Sequence, residues 1–182
     1  MTNLRIHIVG ASGSGTTYLG RALARELGCA YIDTDSIFWE PTFPPFQKFR
    51  PEEERTRLLL ETVQTHPVCV ISGNFAGWGD PVIPLLDLVV FLYVTTEERL
   101  KRLKQREALH FGEEALAPGG YLHQNYTEFM EWAAGYDMGG EEIRSLQKHE
   151  KWLTKLPCPV LRLEGVLSLE SQLNEIRKLI RP

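Results

Sequence analysis

The segment Gly10-Ala-Ser-Gly-Ser-Gly-Thr-Thr17 constrains this chain more than any other. It fits the pattern G-x-x-x-x-G-K-[ST] at every fixed position except the lysine, which is Thr16 here. Apolar residues 4–9 before it read as a strand. Residues 16–27 read as a helix with Leu19, Leu23 and Leu27 on one face, and Gly28 as its stop. Glycines in such a turn let successive backbone N–H groups point into one concavity. The helix N-terminus adds free donors and a positive dipole end, so the turn binds phosphate. Gly10, Ser12, Gly13, Ser14, Gly15, Thr16 and Thr17 are therefore the expected nucleotide ligands, with the Thr17 hydroxyl in the position that holds the nucleotide's Mg2+. The competing reading, a plain Gly/Ser turn, leaves the strand–turn–helix context and Thr17 unexplained.

Apolar segments and helical patterns alternate along the rest of the chain. Further strands are expected at 30–33, 68–71, 88–94 and 159–163. Between them, Pro51 opens a helix with Glu52 to Glu54 in its first turn, Thr95 and Glu98 have capping-box spacing, and 168–179 is helical. This order predicts an α/β fold with a parallel sheet covered by helices. The 182 residues suit one compact domain spanning 1–182. Glycines punctuate 107–139 around a helical piece at 121–134, which reads as an insert or lid.

Composition narrows the partners. Net charge is −4, and an acidic chain without a basic stripe argues against direct nucleic-acid binding. No apolar run approaches the roughly 20 residues of a membrane span, and no export signal is visible. Cys29, Cys69 and Cys158 lie far apart, so neither a zinc site nor a redox pair is expected. The expectation is a reduced, cytoplasmic protein of unassigned oligomeric state.

Replacing lysine by Thr16 removes the cation that usually sits between the outer phosphates. Arg102 and Arg106, spaced i, i+4, are candidates to replace it, as are Arg144 and Lys148. Their alternative is an ordinary solvated helix face. Asp33 and Asp35 lie just past the second strand, at the edge where open parallel sheets bind ligands. One carboxylate can orient or deprotonate an acceptor hydroxyl while the other, Asp35 in particular, holds the metal side. The competing reading is an Asx turn. Trp39 and Trp78 can wall an acceptor pocket, Arg50 can anchor an anion, and Asn74 can bond a polar acceptor; Arg144 joins this substrate set. His149 reads as structural.

The chain resembles the adenylate-kinase-like branch of P-loop kinases. Within that branch it is similar to the bacterial topology modulation protein or adenylate-kinase-related group. The residues that carry this are 10–17, Asp33-Thr-Asp35 with Trp39, Trp78-Gly-Asp-Pro81, and Leu86 to Val94 with Glu97, Arg102 and Arg106. His149-Glu-Lys-Trp152 and Cys158-Pro-Val160 complete the set. Archaeal-type cytidylate kinases resemble it in using Gly-Thr-Thr at the phosphate turn. The resemblance implies a P-loop NTPase three-layer sandwich with a five-stranded parallel sheet of order 2-3-1-4-5 and a closing lid. It further implies an ATP- or GTP-dependent, Mg2+-using phosphotransferase acting on a small molecule or nucleoside monophosphate. Relatives usually carry Asp-Gly at the end of strand three, where this chain has Ser72-Gly73-Asn74. That departure, with Thr16, keeps open a nucleotide-binding regulator with little transfer.

Overall fold

The computed structural model describes residues 3–180; residues 1–2 and 181–182 of the expected 1–182 domain lie outside them. Five strands form one sheet in the order β2-β3-β1-β4-β5, and every pairing is parallel. They are β1 (Leu4–Gly10), β2 (Ala30–Asp33), β3 (Val68–Ser72), β4 (Leu88–Tyr93) and β5 (Val160–Glu164). Each lies within one residue of its expected bounds at either end.

Alternation within the strands builds both faces. Ile6 and Ile8 point into a core with Leu19, Leu23, Val90, Leu92, Leu173 and Ile176, which belongs to the helices α1 (Thr16–Leu27) and α8 (Leu169–Ile180). Val9 points to the opposite core, with Leu59 and Val63 of α3 (Glu52–Thr65) and Trp152 of α7 (Leu146–Leu153). His7 shares that face, fully buried and stacked on Phe75 with ring centroids 4.1 Å apart. A central strand buried on both sides must be apolar at nearly every position, as β4 is.

Three elements depart from expectation. The chain re-enters a helix at once after β2, as α2 (Thr34–Phe38), where no helix is expected from the sequence. Helix α4 (Thr96–Phe111) runs past the expected insert boundary at 107 before the short α5 (Glu113–Leu116) and α6 (His123–Ala134). Thr95 is the N-cap of α4, but its side chain makes no capping bond, and the Glu98 carboxylate, the other half of the expected capping box, accepts from Arg102 Nε at 2.9 Å.

Candidate functional site

Parallel strands place their carboxyl ends on one edge, and the register aligns them there. Ile8 and Asp33 both pair with Ser72, and Gly10 with Leu92. The phosphate loop, the aspartates, Asn74 and the start of α4 therefore share one side of the molecule, where open α/β sheets bind ligands.

The loop is held by backbone contact. Gly13 has φ +82°, and a Cβ there would lie 2.7 Å from the Arg99 carbonyl oxygen; at Gly10 one would lie 2.5 Å from that of Leu92. Gly15, φ +102°, opens α1, and Ser14 N–H donates to Ala11 O at 3.1 Å. Beneath the loop lies a residue that sequence reasoning passed over. Arg99 is fully buried, donating from Nε to Val94 O (3.1 Å) and from one terminal nitrogen to Ser12 O (3.3 Å) and Ala133 O (3.1 Å). Its other terminal nitrogen donates to Thr96 Oγ1 at 2.8 Å and stands 3.7 Å from Asp137. One cation thus joins the loop, the start of α4 and the end of α6. Its i, i+3 spacing from Arg102 was visible, but burial was not.

Arginine also lines the rim. Arg102 donates to Ser14 O at 3.4 Å, and its guanidinium lies 4.0 Å from where a Gly15 Cβ would stand. Arg144 donates to Gly10 O at 2.6 Å, while its buried Nε has no hydrogen-bond partner among the described residues. Burial lowers the Arg144 pKa, and Asp35 opposes that. Arg106 bonds Glu107 through Nε at 2.8 Å and stacks on Phe129. Thr16 is only 9% exposed, so the position of the missing lysine offers little surface.

The two aspartates differ. Asp33 Oδ1 accepts the Asp35 N–H at 3.1 Å, so the Asx-turn bond is made and it caps α2. Asp35 is exposed and has no ion pair or side-chain hydrogen bond among the described residues. The cleft walls remove enough water to raise its carboxyl pKa; Arg144 opposes the shift, Asp33 adds to it, and Arg106 opposes it. Thr17 is exposed at the first turn of α1. Beside it Tyr31 OH and Ser72 Oγ, at the end of β3, share a 2.6 Å hydrogen bond.

The expected acceptor residues are not all open to a ligand. Trp78 is 8% exposed in the core, its Nε1 donating to Asn74 O at 3.2 Å. Arg50 donates to Ile37 O and Glu54, both at 3.0 Å. Asn74 Oδ1 accepts from Ala76 N–H at 3.4 Å and faces His149 Nε2 at 2.9 Å. Because Oδ1 must accept, His149 carries its proton on Nε2, and its Nδ1 accepts from Tyr136 OH at 2.6 Å. Burial holds this imidazole down to about 3, so it is neutral. The chain Tyr136–His149–Asn74 fixes the carboxamide and leaves its NH2 without a partner among the described residues.

Trp39 sits at the base of a hairpin-like flap over residues 39–50. It bridges Phe49, Glu40 N–H donates to Lys48 O at 2.8 Å, and Arg50 N–H donates to Phe38 O at 2.8 Å. Phe43 (83%), Phe46 (55%) and Phe49 on this flap are exposed. Asn125 of α6 reaches Gln47 at 3.4 Å, so α6 meets the flap across the cleft.

Among the described residues no group of three or more His, Cys, Asp or Glu side chains is arranged to hold a metal, and no helix is long and apolar enough to cross a membrane. Thr17 and the aspartates are hard oxygen donors of the kind Mg2+ uses when it also binds substrate phosphates, so the residues fit a cation that enters with the nucleotide.

Comparison with known proteins agrees with this geometry. The family described as AAA domain matches residues 6–110. The uncharacterized protein YqaC of Bacillus subtilis is 41% identical over 94% of this chain and 94% of its own. A cytidylate kinase of Thermococcus kodakarensis is 35% identical over 79% of this chain and 77% of its own. The solved shikimate kinase of Acinetobacter baumannii in complex with shikimate shares the fold at TM-score 0.58 and 19% identity, over 98% of this chain and 93% of that one. The chain belongs to the AAA-domain family of P-loop proteins and has the fold of a P-loop kinase.

Proposed function

We propose that this protein transfers the terminal phosphoryl group of a nucleoside triphosphate, ATP in the first instance, to a hydroxyl of a small acceptor. The observation that carries this reading is the meeting at one cleft of a glycine cradle, arginines at its rim, and Asp35 facing Arg144 and Arg106. Within the family we place the chain in the topology-modulation or adenylate-kinase-related group, on the residues quoted above, and in the cytoplasm.

Backbone N–H groups of residues 12–17 hold the phosphates, and Thr17 with one of the aspartates supplies oxygens to Mg2+. Bound there, Mg2+ neutralises charge on the phosphate oxygens. Asp35 accepts the proton of the attacking hydroxyl, and its raised pKa makes it the better base. The acceptor oxygen bonds to the γ-phosphorus as the bond to the β-phosphate oxygen breaks, releasing the diphosphate. Arg102 and Arg144 take the electrostatic role of the absent lysine, with Arg106 close to Asp35. The segment 107–139 acts as a lid that excludes water, a competing acceptor.

Thr16 and Asn74 favour a second reading, a nucleotide-dependent regulator with negligible transfer. Incubation with γ-labelled ATP and a panel of hydroxylated metabolites separates the two. Label on an acceptor supports the kinase; tight ATP binding with no acceptor labelled replaces it with the regulator.

A further inference from the structure

On the reading of this cleft as a phosphoryl-acceptor site, we propose that Tyr136 and His149 are positioning residues for Asn74. They hold its carboxamide so that the NH2 donates to an oxygen or ring nitrogen of the acceptor molecule. The contrast between two buried histidines carries the inference.

His7 and His149 are both fully buried, and burial holds each down to about 3, so both rings are neutral. A neutral imidazole has one N–H and one bare nitrogen, and its neighbours decide which is which. His7 Nδ1 lies 3.3 Å from Ile71 O, which only accepts, so its proton is on Nδ1. Its Nε2 has no partner among the described residues. That ring, stacked on Phe75, serves the core alone. His149 is the opposite tautomer and bonds a side chain at each nitrogen: Tyr136 OH donates to Nδ1, and Nε2–H donates to Asn74 Oδ1. Filling a core needs no such pair. The His149 ring is also clamped, with the Phe91 and Tyr136 ring centroids 6.0 and 5.5 Å away. Tyr136 in turn lies 5.1 Å from the Arg99 guanidinium, which holds the phosphate loop at Ser12 O. The chain of bonds therefore starts from a fixed point.

It ends at the cleft. Asn74 stands two residues beyond Ser72, which pairs with Asp33 on one side and Ile8 on the other. That places it between the aspartates and the phosphate loop. Its backbone is pinned, because Gly73 N–H donates to Ile8 O at 3.1 Å and Trp78 Nε1 to Asn74 O at 3.2 Å. Oδ1 accepts twice, from Ala76 N–H and from His149, which fixes the end of the amide that is free. Hydrogen bonds in a chain polarise one another, so an amide whose oxygen accepts twice donates more strongly from its nitrogen. Asn74 is only half-buried and its NH2 is not among the buried unpartnered groups, so that donor opens to solvent at the strand ends. The arginines of the rim answer to charge, whereas this neutral donor answers to the position of a lone pair.

The test is nitrogen-15 NMR of side-chain amides and imidazoles on the full chain with Mg-ADP. His149 is expected as the Nε2–H tautomer and His7 as Nδ1–H; an Nδ1–H His149 overturns the proposal. Cytidine monophosphate, adenosine monophosphate, glucose and glycerate are then titrated, and at least one is expected to bind and shift the Asn74 NH2 pair. Its affinity should fall about tenfold or more in His149→Leu and about threefold in Tyr136→Phe, which loses only the hydroxyl. In His149→Gln, whose amide restores a donor, it should return to within about threefold of the parent. A histidine that only fills the core predicts lower stability in His149→Leu with the affinity unchanged. Unchanged affinity in both His149→Leu and Tyr136→Phe, binding with the Asn74 NH2 unmoved, or no binding by any of the four overturns the proposal. Should His149→Leu fail to fold, Tyr136→Phe and the tautomer decide. Label transfer from ATP to the same molecules keeps the two readings apart. Binding through Asn74 without transfer upholds the positioning and removes the kinase, whereas transfer to a molecule that leaves Asn74 unmoved upholds the kinase and removes the positioning.

Discussion

The two walls of the cleft are built on different physical terms. On the nucleotide side, the loop 10–17 is clamped by backbone contact with β4 and α4 and tied from beneath by Arg99. On the acceptor side, the flap over 39–50 exposes its aromatic rings, and Asn74 is held by a neutral histidine. A wall that serves every phosphate of the same kind can be rigid and generic. A wall that selects one molecule among many carries its chemistry on a variable loop. The difference also sets which wall fails first in acid, because an arginine stays charged at every such pH whereas a buried neutral imidazole is opposed by proton uptake in the unfolded chain.

Acidification should produce the largest effect. His7 and His149 are both held down to about 3 by burial, against an unfolded value near 6.5. Their stabilisation is fully present above pH 6.5 and is lost as pH falls toward 3, since only the unfolded chain takes up those protons. With both contributing, the slope approaches roughly 2.7 kcal/mol per pH unit. Urea unfolding at a series of pH values measures it, and His7→Leu should halve the slope.

Breaking the nucleotide wall comes next. Arg99→Met leaves the carbonyls of Ser12, Val94 and Ala133 without their donor and should cost about 3–5 kcal/mol in chemical unfolding. Gly13→Ala forces a side chain onto positive φ and against the Arg99 carbonyl, for about 2–3 kcal/mol in the same measurement, with nucleotide affinity falling too. The smallest effect belongs to the flap. Phe43→Ser, at an exposed tip, should change stability by less than about 0.5 kcal/mol. Its consequence should appear in acceptor binding by titration, and a large loss of stability there would erase the contrast between the walls.

The sheet was legible in sequence because central parallel strands must be apolar on both faces, which leaves runs such as Leu88 to Val94. The phosphate loop was legible because positive-φ glycines at fixed spacing are a backbone requirement. Helix α2 was not, since Asp33 and Thr34 are as good at opening a helix as at forming a turn, and five residues give no periodicity. Arg99 escaped notice because a buried arginine looks like its solvated neighbours in sequence; only the carbonyls converging on it show its burial. For the same reason Arg50 read as an anion anchor, while three-dimensional contacts commit it to Ile37 and Glu54. Trp78 likewise read as a pocket wall, and the fold turns it inward against Phe38 and Phe75.

The central claim is that the cradle holds nucleotide without a lysine because arginine at its rim supplies the charge. Mg-ATP affinity measured by calorimetry in Thr16→Ala and in Arg102→Gln tests it most directly. The account predicts that Thr16→Ala stays within about threefold of the parent and that Arg102→Gln weakens binding about tenfold or more. Loss of binding in Thr16→Ala, with Arg102→Gln unchanged, would contradict it.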